Sequence, residues 1–365
     1  AILSGSGFTH NHFVSMMVNS GKLSVMPSFS YSSQDGIINN TNYERYVFRN
    51  NMDIRPHEKL TVKMDMSLAY SDRLQIANEN DVWNYLGRMP TNIPIRRNGR
   101  WSEGWVKINP IGLIENGGNR TTNNLELYGN LSVDLKPTDW LSVTGVLAPR
   151  YMIRSLHEFS KSVMTYNDDG SEAGAAYTYT DLTESNKNYF LGNYQLFTNV
   201  SKNWNDHAFN LMVGTSRETY DEKYLMAYRR DYTYDDYEVI RAGANNETKH
   251  NDGTRDQWAL ISAFSRLNYS YMDRYLFEAN LRYDGSSRFA KNNRWGFFPS
   301  FSAGWRISEE NFWKNLSVSN IINNFKIRGS WGVLGNQNIG TYPYQQIYSL
   351  GQNCVWGNPA TLIPG

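Results

Sequence analysis

The sequence has almost none of the residues that build disulfide frameworks or attract an anionic partner. Cys354 is the only cysteine in 365 residues, which excludes a disulfide scaffold and any metal cluster made from several cysteines. Lysine and arginine number 36 against 35 acidic residues, a formal net charge of +1. Because this balance creates no long-range attraction to polyanions, we expect no nucleic-acid partner.

Long apolar runs are missing as well. No stretch reaches the roughly 18 consecutive apolar residues of a membrane helix, which excludes a helical membrane protein. It does not exclude a membrane β-barrel, whose strands alternate apolar and polar residues. Residues 1–7 have neither a basic region nor an apolar core and do not form a signal peptide. If the protein is exported, we expect its signal peptide to lie outside this chain.

Catalytic and metal-binding motifs are also scarce. The sequence contains no G-x-S-x-G elbow, Walker loop, H-E-x-x-H pair or strand–helix G-x-G-x-x-G, so we expect no enzyme and no cofactor. His10 and His12 share a strand face without a third ligand, which favours a solvated pair over a metal site. The acidic segment 231–238 lacks the spacing and glycine of an EF-hand. We assign no metal site, and cation binding by this segment stays open.

Large rings and period-two alternation are abundant. Phe, Trp and Tyr make up 14% of the chain, and apolar residues alternate with polar ones over 59–70, 124–135 and 325–333. These runs last about 9 to 12 residues, whereas strands of soluble sheets average five or six. A tilted strand of that length crosses a bilayer. A soluble β protein with an aromatic core is the alternative, and the consistently polar alternate positions argue against it.

Twelve such segments follow one another with alternating connections. They lie near 9–19, 22–34, 43–55, 58–72, 121–135, 141–156, 187–202, 207–220, 256–271, 275–285, 294–307 and 324–335. A tight turn follows each odd segment, as at 136–140, 203–206 and 272–274, except the eleventh. Longer loops follow the even ones, including 73–120, 157–186, 221–255 and 336–365.

This alternation predicts an all-β fold, an antiparallel up-and-down transmembrane β-barrel with short periplasmic turns and longer external loops. The exception follows the eleventh segment, where we expect Ser308 to cap a short periplasmic helix. Within the strands, we expect Leu127, Leu131 and Val143 to face lipid. Glu126, Asn130 and Ser142 should face the lumen.

One block of the sequence identifies a family. It comprises LRYDGSSRF at 281–289, RWGFFPSFSAGWRIS at 294–308 and FKIRGSWGVLGNQ at 325–337. The block resembles the barrel of the SusC/RagA-type TonB-dependent transporters of Bacteroidota. Such transporters have about 22 strands around a plugged lumen, so twelve strands are about half of the barrel. We therefore expect 1–365 to be the N-terminal part of the transmembrane barrel domain, without signal peptide, plug domain and C-terminal strands.

The resemblance also implies a function. A transporter of this family imports oligosaccharides or peptides across the bacterial outer membrane without covalent chemistry. It works with a SusD/RagB-like surface lipoprotein, is energised by the TonB–ExbB–ExbD complex and is surrounded by outer-membrane lipid. Two alternatives stay open: a passive or structural porin-like barrel, and a secreted carbohydrate-binding β protein. The residues do not distinguish a glycan substrate from a peptide.

Two external loops combine aromatic rings with amide and charged groups, which suits a surface that binds a polar substrate. We expect their rings to contact substrate or the partner lipoprotein, with packing of the loops on their neighbours as the alternative. The candidates are Trp83, Tyr85, Arg100, Trp101, Trp105, Tyr232, Tyr234, Asp235 and Tyr237.

Overall fold

The structure, a computed structural model, describes residues 6–175, 177–346, 354–356 and 361–363. Its dominant elements are twelve antiparallel strands. In chain order they are β1 (Thr9–Ser15), β2 (Leu23–Asp35), β3 (Asn42–His57), β4 (Leu60–Ile76), β5 (Gly118–Thr138), β6 (Leu141–Ser160), β7 (Asp181–Trp204), β8 (His207–Arg230), β9 (His250–Tyr271), β10 (Tyr275–Ser286), β11 (Trp295–Arg306) and β12 (Lys326–Gly332). All twelve predicted segments are strands.

The chain divides into two compact units. The first contains Ala1–Lys202 and Met212–Gln257, and in it β1 to β7 pair antiparallel in chain order. The second contains Asn203–Leu211 and Trp258–Gly365, and in it β9 to β12 pair antiparallel in chain order. Within each unit, this pairing of sequence neighbours confirms the up-and-down fold.

The connections alternate in length as predicted. Only two or three residues separate strands at 58–59, 139–140, 205–206 and 272–274. Asn205, Met272 and Asp273 adopt positive φ there (47°, 53° and 54°), a backbone conformation common in tight turns. The long loops lie at the opposite ends of the strands. At those ends β5 to β9 extend further than the sequence predicted. Polar residues continue the hydrogen-bonded strands there without the apolar alternation that identifies a strand in sequence.

The two faces of the strands differ in polarity. On β5, the outward apolar series includes Leu125, Leu127, Val133 and Leu135, each more than a third exposed. Leu131 belongs to this series by parity and pairs with Met64 and Leu147. Val143 pairs with Leu135 and shares its face. Glu126 and Asn130 line a cavity on the other face, and Ser142 has the same parity as the cavity-lining Val146 and Ala148. The two sets of residues therefore lie on different faces of the strands, as predicted.

Helices are few and short. Helices α1 (Glu79–Leu86) and α2 (Pro110–Asn116) lie between β4 and β5, and α3 (Asn311–Lys314) lies between β11 and β12. In the part of the chain that the structure describes, no helix has the length and apolar character needed to cross a membrane.

The predicted cap of α3 is wrong. Ser308 lies in the preceding 3₁₀ turn, Ile307–Glu309, and its N–H donates to the Phe325 carbonyl at 3.1 Å. Helix α3 begins after Glu310, which makes no side-chain capping hydrogen bond. The Glu310 carboxylate instead accepts from Tyr275 Oη at 2.7 Å and Trp305 Nε1 at 3.1 Å. These bonds to β10 and β11 fix the chain where a helix cap was expected.

The topology predicts which side of the membrane each connection occupies. Thr91 lies exposed in the long loop after β4, and Asp139 lies exposed in the tight turn after β5. In a full-length protein with Cys354 and any other cysteine replaced, we expect Thr91→Cys to react with an impermeant maleimide on intact cells. Asp139→Cys should react only after the outer membrane is permeabilised. Labelling of Asp139→Cys alone on intact cells would contradict the assigned orientation.

Candidate functional site

The long loop between β4 and β5, residues 77–117, is a folded module that contributes several residues to a buried apolar core. Its buried centre joins Val82 of α1 to Leu113 and Ile114 of α2, and Ile76 at the end of β4 packs beside them. Pro110 begins α2, where its missing N–H costs no helical hydrogen bond. A loop of this length therefore buries apolar residues of its own, which explains why it has a defined shape.

Asn109 organises the turn that enters α2. Its side-chain oxygen accepts from the Gly112 N–H at 3.0 Å, which caps the helix. Its side-chain nitrogen donates to the Ile95 carbonyl at 2.9 Å and the Ser102 carbonyl at 3.0 Å. Because Asn109 is buried, these three bonds satisfy a polar group that would otherwise destabilise the module.

Trp101 is the central ring of the loop module. It ends a small hairpin of Arg96–Arg97 and Arg100–Trp101, joined by Asn98-Gly99 with positive φ at both residues, as a type I′ turn requires. The ring packs against the module core. The Arg96 guanidinium lies 3.6 Å from the ring centroid. Trp101 is therefore held between the core and a cation, a position in which it supports the loop's shape.

The other candidates of the loop module occupy different environments. Tyr85 packs against the same core as Trp101. Arg100 places its guanidinium 4.8 Å from the centroid of the Tyr166 ring. Trp83 is exposed, and its Nε1 donates to Glu79 at 3.4 Å. Trp105 begins the 3₁₀ turn Trp105–Lys107. Among the candidates of this module with a described side chain, Trp83 is thus the aromatic residue that is exposed and can contact an external ligand.

The second loop, residues 231–249, separates its candidates into buried and exposed groups. Tyr232 is buried with Phe159 and Leu182, meets the Phe159 ring edge-on at 5.2 Å and donates its hydroxyl to the Val239 carbonyl at 3.1 Å. Tyr234 and Tyr237 are 71% and 61% exposed, and Asp235 between them is exposed as well. Tyr232 anchors the loop, and the other three residues form its outer surface. Among the described residues, no hydrogen bond, ion pair or ring contact joins them to the candidates of the loop module.

His157 fastens this second loop to the strand wall. On β6 it stands opposite Glu184 of β7, and its Nδ1 lies 2.7 Å from Glu184 Oε1. Its Nε2 lies 2.9 Å from Oε2 of Glu238, which belongs to the loop. Burial alone would lower the pKa of His157, but the hydrogen bonds to Glu238 and Glu184 outweigh it and raise the pKa above its ordinary value of 6.5. Sequence reasoning missed this cluster because its members lie 27 and 81 residues apart.

The raised pKa of His157 predicts a pH-dependent loop. The positive charge of His157 stabilises the contacts with Glu184 and Glu238. This stabilisation is fully present below about pH 6.5, the pKa of histidine in the unfolded chain. It is lost as the pH rises through the higher pKa of His157 in the folded protein. We expect trypsin to cut at the exposed Arg241 and Lys249 faster, relative to a denatured reference protein, at pH 9 than at pH 6. In His157→Gln, which stays neutral, this pH dependence should disappear. The same pH dependence in both proteins would contradict a role for His157.

A polar cavity of about 780 Å³ lies against the inner face of β3 to β8 in the first unit. It is lined by three basic residues, three acidic residues and several amides, so its charges balance. One cross-strand ion pair joins Arg150 to Glu126 at 3.2 Å, and Asn193 donates to Glu218 at 3.1 Å. The charged residues are Arg45, Arg49, Arg150, Asp65, Glu126 and Glu218. Such a surface suits a polar solute or polar protein segment better than lipid.

The predicted histidine pair forms part of an aromatic ladder. The His10 and His12 rings lie 5.2 Å apart, and both contact the ring of Tyr31. Across the residues that the structure describes, no group of three His, Cys, Asp or Glu side chains is placed to hold a metal ion.

Comparison with known sequences gives a consistent family. Residues 8–360 match the family model described as TonB dependent receptor-like, beta-barrel. The chain is 29% identical over 329 residues to TonB-dependent receptor P39 of Formosa agariphila, covering 88% of this chain and 30% of that protein. It is 26% identical over 377 residues to TonB-dependent receptor SusC of Bacteroides thetaiotaomicron, covering 93% of this chain and 35% of that protein. The chain thus spans about a third of the length of these relatives.

Solved structures share the fold. The RagAB peptide importer in its closed-closed state superposes with a TM-score of 0.75 at 16% identity, covering 98% of this chain and 40% of that chain. The outer membrane transporter YddB of Escherichia coli superposes with a TM-score of 0.53 at 10% identity, covering 82% of this chain and 36% of that chain. At these identities the likeness concerns the arrangement of strands.

Proposed function

Because this chain belongs to the TonB-dependent receptor β-barrel family and is of the SusC/RagA type, we propose that the whole protein actively imports oligosaccharides or peptides. The chain is an outer-membrane protein, and its family is one of receptors and transporters. Import of a polar solute requires a barrel wall that faces lipid on one side and a polar path on the other.

The observation that carries the proposal is the cavity on the inner face. Glu126 and Asn130 line this cavity. Leu125 and Leu127, the two neighbours of Glu126 in sequence, are exposed on the apolar face. A balanced set of guanidinium, carboxylate and amide groups can exchange hydrogen bonds with hydroxyls or peptide groups without holding one charge sign tightly. This suits a surface that polar cargo passes, and it suits docking of a plug against the wall.

The proposal includes the partners that the resemblance implied. Energy for import comes from the TonB–ExbB–ExbD complex, and a SusD/RagB-like lipoprotein works at the outer surface. The long loops on that side supply the contact area for both cargo and lipoprotein. No covalent step is part of this function, so the protein is not an enzyme. A passive porin-like barrel stays the second candidate because the cavity alone also suits diffusion.

The substrate class is tested by depletion of a mixed pool. Cells that express the whole protein, and matched cells lacking its gene, receive defined oligosaccharides and peptides, and mass spectrometry follows the loss of each from the medium. We expect gene-dependent depletion of one of the two classes. Equal depletion of every component in both strains would contradict import of these solutes.

Substitution of the exposed tyrosines of the second loop tests whether these rings contact cargo or the lipoprotein, or only pack on their neighbours. We expect the double change Tyr234→Ala and Tyr237→Ala to reduce uptake or lipoprotein co-purification several-fold while the barrel's heat stability is unchanged. The matched control is Tyr232→Ala, which removes the buried ring and should loosen the loop itself. If uptake and co-purification both equal the wild type in the double variant, the exposed rings have neither role.

A further inference from the structure

The family-signature segments enclose a second cavity, which we call the rim cavity. It has a volume of about 530 Å³ in the second unit and is lined among others by Asp284, Phe289, Arg294, Phe298 and Gln337. Ser286, also in its wall, ends β10 on the side of the longer loops. An entering solute would therefore meet the rim cavity near the outer end of the inner wall.

The Phe298 ring forms the apolar floor of the rim cavity, and two glycines pack closely against it. A Cβ atom at Gly296 would lie 2.6 Å from the Phe298 ring, and one at Gly335 would lie closer still. The segment after β12 therefore lies directly on this ring. Arg288 holds the same segment through a hydrogen bond to the Ile339 carbonyl. The floor is thus a fixed aromatic surface.

The charges of the rim cavity do not balance. Arg282 is neutralised by a partner, because its Nε donates to the Asp284 carboxylate at 2.8 Å, and its Nη2 also donates to Ser262 at 2.8 Å. Arg294 has no ion pair within the described residues, and its buried Nε has no hydrogen-bond partner there. The side-chain oxygen of Gln337 is likewise buried without a partner. One guanidinium nitrogen, Arg294 Nε, and one amide oxygen, that of Gln337, are therefore buried without a partner among the described residues, beside an aromatic floor.

From this arrangement we propose that the rim cavity binds a carboxylate group of the cargo, with Arg294 as its cation. The guanidinium offers paired N–H donors to a carboxylate, and the Gln337 oxygen accepts from a neighbouring hydroxyl or N–H of the ligand. Phe298 and Phe289 cover the adjoining carbon surface. The inference rests on the proposed import function for the source of the ligand. A uronic acid of an oligosaccharide and an acidic peptide both present this carboxylate.

Calorimetric titration of the purified whole protein in detergent tests the site directly. The probes are trigalacturonate with its methyl-esterified form, and triglutamate with its fully amidated form. We expect one acidic probe to bind at least about ten-fold more tightly than its neutral form, and Arg294→Gln to remove this preference. Ten-fold corresponds to about 1.4 kcal/mol. Arg294→Lys should retain part of it.

The control is Arg266→Gln in the same unit. Arg266 donates to Asn280 at 2.8 Å and does not line the rim cavity, so this change removes the same charge and should leave binding unchanged. Preference for the sugar or the peptide identifies the source of the carboxylate. The inference is overturned if neither acidic probe exceeds its neutral form, or if the preference survives in Arg294→Gln. Since binding is measured without energy input, such a failure leaves the proposed import function standing.

Discussion

Replacement of Leu131 by arginine should destabilise the barrel by about 2–4 kcal/mol, the cost of placing this side chain near the bilayer midplane on the lipid face. Leu131 lies in the middle of the apolar series from Leu125 to Leu135 on β5 and pairs with Met64 and Leu147, which are apolar too. An arginine there finds neither water nor a carboxylate. Unfolding of the whole protein in urea with lipid vesicles measures the change.

Asn130 provides the matched control on the same strand. Its side chain lines the polar cavity and donates to Asp65 at 3.4 Å. An arginine at this position meets the polar cavity and the Asp65 carboxylate, so we expect a loss well below that of Leu131→Arg. Equal losses at the two positions would contradict a wall with one lipid face and one polar face.

Phe159→Ala should produce the second large effect, a local loss of about 3–5 kcal/mol. Phe159 is completely buried, meets Tyr232 edge-on and packs with Leu182. Its removal leaves a cavity beneath residues 231–249. We expect faster amide hydrogen exchange in that loop and at the ends of β6 and β7, with the tight turn at 139–140 unchanged.

The exposed Tyr234 is the control for this substitution. Tyr234→Ala removes a ring of similar size that makes no packing contact with the Phe159 cluster, so exchange of the loop should match the wild type. Unchanged exchange in Phe159→Ala would mean that the cluster does not hold the loop.

The sequence predicted the strands well because two separate signals agree. Alternation over 124–135 indicates a strand with one apolar and one polar face, and Glu126 and Leu127 lie on those two faces. The lengths of the connections then order the strands. Where a single signal was used, the prediction was weaker. Ser308 has the residue type of a helix cap, but the bonds of Glu310 to β10 and β11 override that local preference.

The candidate site was less accessible to sequence reasoning. Aromatic composition selected Trp101 and Trp83 together, although one packs on a core and the other is exposed. Local sequence does not encode that difference, because the core beneath Trp101 includes residues that are distant in sequence, such as Ile38 and Val163. The His157 cluster depends on the pairing of distant segments and has no short motif. The same holds for the surroundings of Arg294, which has no ion pair among the described residues.

Dependence of uptake on energy coupling tests the central claim most directly. The measurement compares gene-dependent depletion of the active substrate in cells with an intact TonB–ExbB–ExbD complex and in cells lacking TonB, at equal amounts of the transporter in the outer membrane. The proposed function predicts that uptake falls to the level of the gene deletion when TonB is absent, while surface binding of the substrate persists. Uptake that continues at the wild-type rate without TonB would contradict active import and support a passive barrel.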